Sequence, residues 1–221
     1  MRTGSASRPA PRSAATRRAL VEAAADVLRR DGFAAATART IAERAGCNQG
    51  LVFYHFGSVT QLLLAALDDV SAERRRRYDE ALAEVRSPSD LVELASRVLR
   101  EDLDTGDAAL LVEMIAGAAS TPGLGAEVKA RVAPWTEFAE AALGSVVDGS
   151  ALAGLVAPAD VAHAVVALYL GLELLSHLDG DRRPALALFD QARRLAALAD
   201  LLTGRTSPPA GTSDTGPEEE P

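Results

Sequence analysis

The chain reads as an all-α protein of about nine helices. Three observations predict this. Alanine and leucine dominate, and both are strong helix formers. Apolar residues recur at the three, four and seven spacings of a one-sided helix. No run alternates β-branched and polar residues, so no strand is expected.

The first helix is expected from about Ala15 to Arg30, with Leu20, Ala24, Val27 and Leu28 on one face. Asp31-Gly32 ends it, and Phe33 plugs the turn. Thr37 is placed to cap a short helix from Ala38 to Ala45, stopped by Gly46. Asn48 is placed to cap another from Gln49 to about Phe56, stopped by Gly57. Ser58-Val-Thr-Gln61 is a capping box before a long run to about Val85. Ser87-Pro88 opens a helix to about Asp104, and another spans about Asp107 to Ala119. Thr121-Pro-Gly separates these from a long helix, about Leu124 to Val147, in which Pro134 predicts a kink. Residues 148–157 read as a loop. Pro158 opens an apolar helix to about Leu178, and the last runs from Pro184 to about Thr203.

The ends differ from the middle. Residues 1–13 are rich in Ser, Pro, Arg and Ala, and 205–221 in Pro, Gly, Ser and acid, so both are expected to be disordered. At 221 residues and 48% hydrophobic content, the remainder can bury a core without staples. The single cysteine, Cys47, excludes an internal disulfide framework and fits a reducing, cytoplasmic setting. In the turn where it lies, it reads as a small packing residue. The first residues lack the apolar stretch of a signal peptide. The most apolar segment, Val161 to Leu178, carries His163, Glu173 and His177, so no membrane span is expected. No nucleophile elbow, phosphate loop, dinucleotide fingerprint or zinc-protease motif occurs, which argues against an enzyme and against a cofactor.

The net charge is −8, yet it is unevenly spread. Residues 1–60 carry nine arginines against four acids, a net of +5, and the rest carries −13. A basic head on an acidic body is the footprint of a polyanion partner met at one end. Within that head, Thr37 to Phe56 reads TARTIAERAGCNQGLVFYHF, two short helices joined across Gly46-Cys47-Asn48. This is helix-turn-helix spacing. The first helix braces the second through Ile41, Ala42, Ala45 and Val52, and the second offers its start to base edges in a major groove.

The run TARTIAERAG…GLVFYHFGS, with Gly32-Phe33 before it, strongly resembles the tetracycline-repressor (TetR) family of transcriptional regulators. The motif resemblance covers roughly Thr16 to Leu67, and beyond it rests on the all-helical body. It implies a basic arm (1–13), a DNA-binding domain (14–57), a ligand-binding and dimerisation domain (58–204) and an acidic tail (205–221). It also implies a homodimer that binds an inverted-repeat operator in double-stranded DNA. A small-molecule effector would release that DNA, making the protein a repressor. The alternatives are a ligand-independent regulator, an activator, or a helical small-molecule binder that has lost DNA binding.

By position, the resemblance implies DNA contacts from Arg39 (a guanine edge or a phosphate), Gln49 (adenine) and Leu51 (a thymine methyl). Gly50 permits close approach of the backbone. Thr40, Tyr54, His55, Arg17 and Arg18 are expected near phosphates. Two positions depart from the family pattern: Phe53 where tyrosine is frequent, and Val59 where lysine is frequent. Each removes a bond to phosphate, and Tyr54, His55 and the amino-terminal arginines are expected to compensate.

In the body, the run Arg74 to Arg77 with Glu73, Asp79 and Glu80 reads as a solvated charged face. Met114, Trp135, Phe138, Tyr169 and Glu173 are candidates for a ligand pocket. Glu173 and His177 lie four residues apart, but they read as polar groups of a pocket or seam rather than metal ligands. The dimer seam is expected on the last two helices. Val161, Val165, Leu168, Leu172 and Leu175 lie along one, and Leu188, Ala192, Leu195, Ala199 and Leu202 along the other.

Overall fold

The computed structural model describes residues 11–148 and 157–203. Among these residues there are nine α-helices and no strand. They are α1 (Pro11–Asp31), α2 (Ala38–Arg44), α3 (Gly50–Phe56), α4 (Val59–Leu82), α5 (Pro88–Thr105), α6 (Asp107–Ala118), α7 (Leu124–Val147), α8 (Pro158–Asp179) and α9 (Arg183–Thr203). A 3-10 turn, Phe33–Ala35, joins α1 to α2. Helix α1 begins four residues before its expected start. Proline at its first position loses only an N–H that would have no helical partner there, so residues 11–13 are helical. Eight of the expected loop residues, 149–156, lie outside the described residues, as do residues 1–10 and 204–221.

Local chemistry explains the boundaries. The hydroxyls of Thr37, Ser58 and Ser87 accept the backbone N–H groups of Thr40, Gln61 and Asp90, each at 3.1 Å. Gly106, in the left-handed region at φ 71°, ends α5 and starts α6. Pro134 lies inside α7, which continues on both sides of it.

Most of the fully buried apolar residues form one core at the amino-terminal end. Leu20, Ala24, Val27 and Leu28 of α1 meet Ile41, Val52, Leu62 to Leu64, Leu110 and Met114. The expected face of α1 is therefore the buried one. A smaller cluster, Val85, Leu94 and Val146, lies between the far ends of α4, α5 and α7. In the body, α8 packs mainly on α7, and α9 mainly on α5. Helix α8 is long and apolar enough to cross a bilayer (22 residues, mean hydropathy 1.6 over its most apolar window), but here it lies against α6 and α7.

Helix α6 ties the head to the body. The Glu113 carboxylate accepts the Phe33 N–H at 2.8 Å, and Arg29 pairs with Asp107 at 2.7 Å. A Cβ on Gly117 would stand 2.5 Å from the Phe33 ring, so glycine is what lets the turn dock on α6.

Candidate nucleic-acid interface and buried cavity

The turn between α2 and α3 is fixed by three local features. The Cys47 N–H donates to the Ala42 carbonyl at 2.9 Å. Gly46 takes a φ of 66°, which a side chain would disfavour. The Asn48 carboxamide oxygen accepts the Gly50 N–H at 2.7 Å, so α3 starts one residue later than expected, at Gly50. Burial pushes the Cys47 thiol up, consistent with a packing role.

Ile41, Ala42 and Val52 are buried, with Ala45, Cys47 and Leu51 packed behind them. Facing out are Arg39, Gln49, Gly50, Phe53 and Tyr54, the last 77% exposed. His55 is half-buried and meets the Tyr54 ring edge-on at 4.9 Å. Thr40 is half-buried and shares a 2.9 Å hydrogen bond with the Thr37 hydroxyl. Leu51 is also half-buried against the core, which limits its reach toward a thymine methyl. Of the two departures, Phe53 is 52% exposed, whereas Val59 packs on the core.

The arginines of the head fall into two groups. Arg29, Arg30, Arg39 and Arg44 are tied to Asp107, Asp26, Glu43 and the Asp26/Asp31 pair. Arg39 is largely exposed, so its bond to Glu43 (2.8 Å) can be exchanged for a stronger anion. Arg17 and Arg18 are exposed and form no ion pair among the described residues; Arg17 lies over the Phe56 ring at 5.0 Å. With Arg12, which also forms no ion pair among the described residues, they are the uncommitted positive charge of α1, and Arg17 reaches the end of α3.

The body contains a cavity of about 380 Å³ lined by α4 to α9 and open on one side, where Val165, Leu168 and Leu188 reach solvent. Trp135, Phe138 and Tyr169 line it, together with Leu94, Leu111, Leu143 and Phe189. Two expected residues do not. Met114 is fully buried in the amino-terminal core, because α6 turns that face toward α1. Glu173 is buried one turn beyond Tyr169 rather than in the lining. Conversely, Val165, Leu168, Leu172, Leu188 and Ala192, expected in a seam, line this cavity. They can do so because α8 and α9 pack on different neighbours, which leaves a gap between them.

Arg74 departs furthest from its expected place. It is not on a solvated face: it is 4% exposed and pairs with the buried Asp102. Its Nη2 donates to the Tyr169 hydroxyl at 3.1 Å, and that hydroxyl donates to Asp102. The guanidinium also lies 4.4 Å from the Trp135 ring centroid. Arg75 departs in part: it meets Asp79 but is half-buried, donates to the Pro134 carbonyl at 2.6 Å and lies over the Phe138 ring, whereas the exposed Arg76 and Arg77 meet Glu73, and Asp107 and Glu101, as a charged face would. The sequence does carry a signal for the burial of Arg74, because Leu63, Leu67, Val70, Arg74 and Tyr78 share one helical face.

Glu173 has one buried oxygen, Oε1, without a partner among the described residues. Burial, aided by the nearby Asp102 charge, pushes its carboxyl up to about 7, while Arg74, Tyr169 and Arg182 pull it down. His163 and His177 are exposed on α8 while Glu173 is buried, and no group of three potential ligands among the described residues could hold a metal.

Apart from Ile115 on α6, the remaining large exposed apolar residues lie on the last two helices. Leu175 and Leu195 are exposed, Leu195 at 69%. Leu174, Leu178, Leu198 and Leu201 extend the same surface, although sequence reasoning passed over them. Val161 and Ala199 are half-buried, and the Leu202 side chain lies outside the described residues.

Comparison with known proteins matches this arrangement at two scales. The family described as bacterial regulatory proteins, tetR family, matches residues 20–66. An HTH-type transcriptional repressor from Mycobacterium tuberculosis is 39% identical over 77 residues, which span 35% of this chain and 38% of the relative. Across the whole fold, a member of the TetR family from Streptomyces coelicolor is 28% identical, with a TM-score of 0.58 over 80% of this chain and 97% of that one. The regulator FadR from Bacillus subtilis, solved with stearoyl-CoA, shares the fold at 14% identity, with a TM-score of 0.66 over 86% of this chain and 99% of that one. The helix-turn-helix sequence and the all-helical body thus agree: residues 20–66 carry the amino-terminal domain of the tetR family of bacterial regulatory proteins, and the chain shares its fold with solved members of that family.

Proposed function

We propose that the protein is a homodimeric, cytoplasmic transcriptional repressor that binds an inverted-repeat operator and leaves it when a small molecule fills the body cavity. The observation that carries this reading is the placement of two sites along one helix. Helix α4, capped by Ser58, starts at Val59 shortly after α3 and reaches Arg74 in the cavity wall. Occupancy at one end can therefore bias the setting of the other.

In the DNA-bound dimer, Gln49 and Gly50 meet base edges at the start of α3. Arg39 exchanges Glu43 for a guanine or phosphate, and Thr40, Tyr54, His55, Arg17 and Arg18 meet the backbone. The recognition helices of the two protomers then sit one or more helical turns apart, at about 34–36 Å or a multiple. The exposed leucines of α8 and α9 form the seam. Since Val165, Leu168 and Leu188 line the cavity and are themselves exposed, the partner subunit also closes the cavity mouth. The stearoyl-CoA bound to FadR from B. subtilis supports a ligand-holding body in this fold.

The test is selection of bound duplexes from a random pool at about 0.15 M salt, where non-specific attraction is weakened. An enriched inverted repeat is expected. No enrichment from a folded dimer, or enrichment of an isolated half-site, would discard the reading.

A further inference from the structure

The chemistry of the cavity wall selects among ligands. Resting on the reading of the cavity as an effector site, we infer that the effector is an uncharged, largely apolar molecule carrying one hydrogen-bond acceptor, which meets the Arg74 guanidinium.

Charge decides the class. Among the described residues, Arg74 is the single charged one lining the cavity. An anion drawn to it would find that charge already matched by Asp102, with the second carboxyl of Glu173 close behind. The anion would be desolvated without a free counterion. A cation fares no better. The aromatic faces it would use already carry guanidinium groups: Arg74 lies 4.4 Å from Trp135, and Arg75 lies 5.0 Å from Phe138. Moving either kind of ion into an apolar space lined by residues such as Leu143 and Phe189 costs far more than moving a neutral molecule. Arg74 nevertheless keeps unused donors: its hydrogen bonds among the described residues run through Nη2 alone, its Nε is sealed from any ligand, and its Nη1 is unpartnered without being sealed, so Nη1 is the donor a ligand can reach. A carbonyl, ether or phenolic oxygen satisfies that donor without adding charge. At the packing density of protein interiors, the cavity suits a ligand of roughly 15 non-hydrogen atoms.

Trp135 is the chain's single tryptophan and lies in the wall, so its fluorescence reports occupancy directly. Four probes share one skeleton: para-pentylphenol, para-pentylbenzoate, para-pentylbenzylammonium and para-pentyltoluene. Each is titrated into the full-length dimer at neutral pH. The phenol is expected to saturate the Trp135 signal at a concentration at least roughly tenfold below either ion, and several-fold below the toluene, which lacks the acceptor. Ala139→Phe, which fills the cavity, should abolish saturation by all four while circular dichroism stays helical. Tighter binding of the benzoate or the ammonium overturns the uncharged class but leaves the effector site standing. Equal binding of phenol and toluene overturns the role of Arg74. Saturation by none of the four overturns the effector site itself, independently of the outcome of the DNA selection.

Discussion

The two halves of this molecule bury different things. The head buries leucine, isoleucine and valine and turns its polar groups outward; Leu20, Val27, Ile41, Val52 and Leu62 are all inaccessible to solvent. The body buries Arg74, Asp102 and Glu173, and it surrounds a cavity. A tightly filled apolar core holds one shape. An interior with charges and empty space has more than one way to satisfy itself, and adjustable elements are drawn from such regions. The contrast teaches that the helix-turn-helix face rests on the tightly filled core, while the interior with room to adjust lies at the other end of α4.

The largest test of that contrast is Asp102→Ala. It strands the Arg74 charge in the body and should cost about 3–5 kcal/mol, a fall in melting temperature on the order of 10 °C. Leu62→Ala in the head removes only packing and should cost about 2–5 kcal/mol. If Asp102→Ala melts no lower than wild type, the body has no buried charge to protect and the contrast breaks.

Glu173 gives a pH-dependent test. Its folded value of about 7 lies above the ordinary 4.5, so the stabilisation of the protonated form is full below about 4.5 and is lost as pH rises through about 7. Urea midpoints should therefore fall between about pH 5 and pH 8, by a free energy on the order of 2–3 kcal/mol. Glu173→Gln should flatten this dependence. A wild-type midpoint that rises over the same interval would contradict the burial described for this carboxyl.

Gly117→Ala sharpens the comparison at the joint. The new methyl group drives into the Phe33 ring and should cost about 1–3 kcal/mol. It should also weaken the effect of an effector on operator affinity more than it weakens effector-free DNA binding. Equal losses in both measurements would mean that α6 only supports the head.

The smallest effect on stability, and the most specific to DNA, belongs to Arg17→Ala combined with Arg18→Ala. Stability should hardly move, since neither side chain forms an ion pair among the described residues. The slope of log affinity against log salt should shrink by about 3.6 for the dimer, or about 0.9 for each of the four phosphates that its two protomers no longer neutralise. An unchanged slope would end the idea that these arginines compensate for Phe53 and Val59.

What could be read in advance was local. Thr37, Ser58 and Ser87 cap the helices they precede, because a hydroxyl and an N–H three residues on are fixed by the chain itself. Likewise, the inward set Ile41, Ala42 and Val52 follows from helical period. Arg74 escaped because its partners are remote, with Asp102 on α5 and Tyr169 on α8, and a run of four arginines looks like surface until those helices are placed. Met114 and the residues shared by seam and cavity escaped for a related reason. An apolar residue on a helix is certain to seek cover, but which cover it finds depends on the rotation of α6, α8 and α9 in the assembled body.

The unbroken length of α4 carries a mechanical consequence. Arg74 lies 16 residues beyond Ser58, a span of about 24 Å along a helix that contains no proline or glycine. A lever of that length turns small angles into useful distances: a tilt of about 5° at the cavity sweeps the Ser58 end through roughly 2 Å. In a two-fold dimer the two sweeps can add to roughly 4 Å, more than the 3.4 Å rise of one base pair. On the function proposed above, a tilt of that size at the cavity would put the two recognition helices a full base pair out of step.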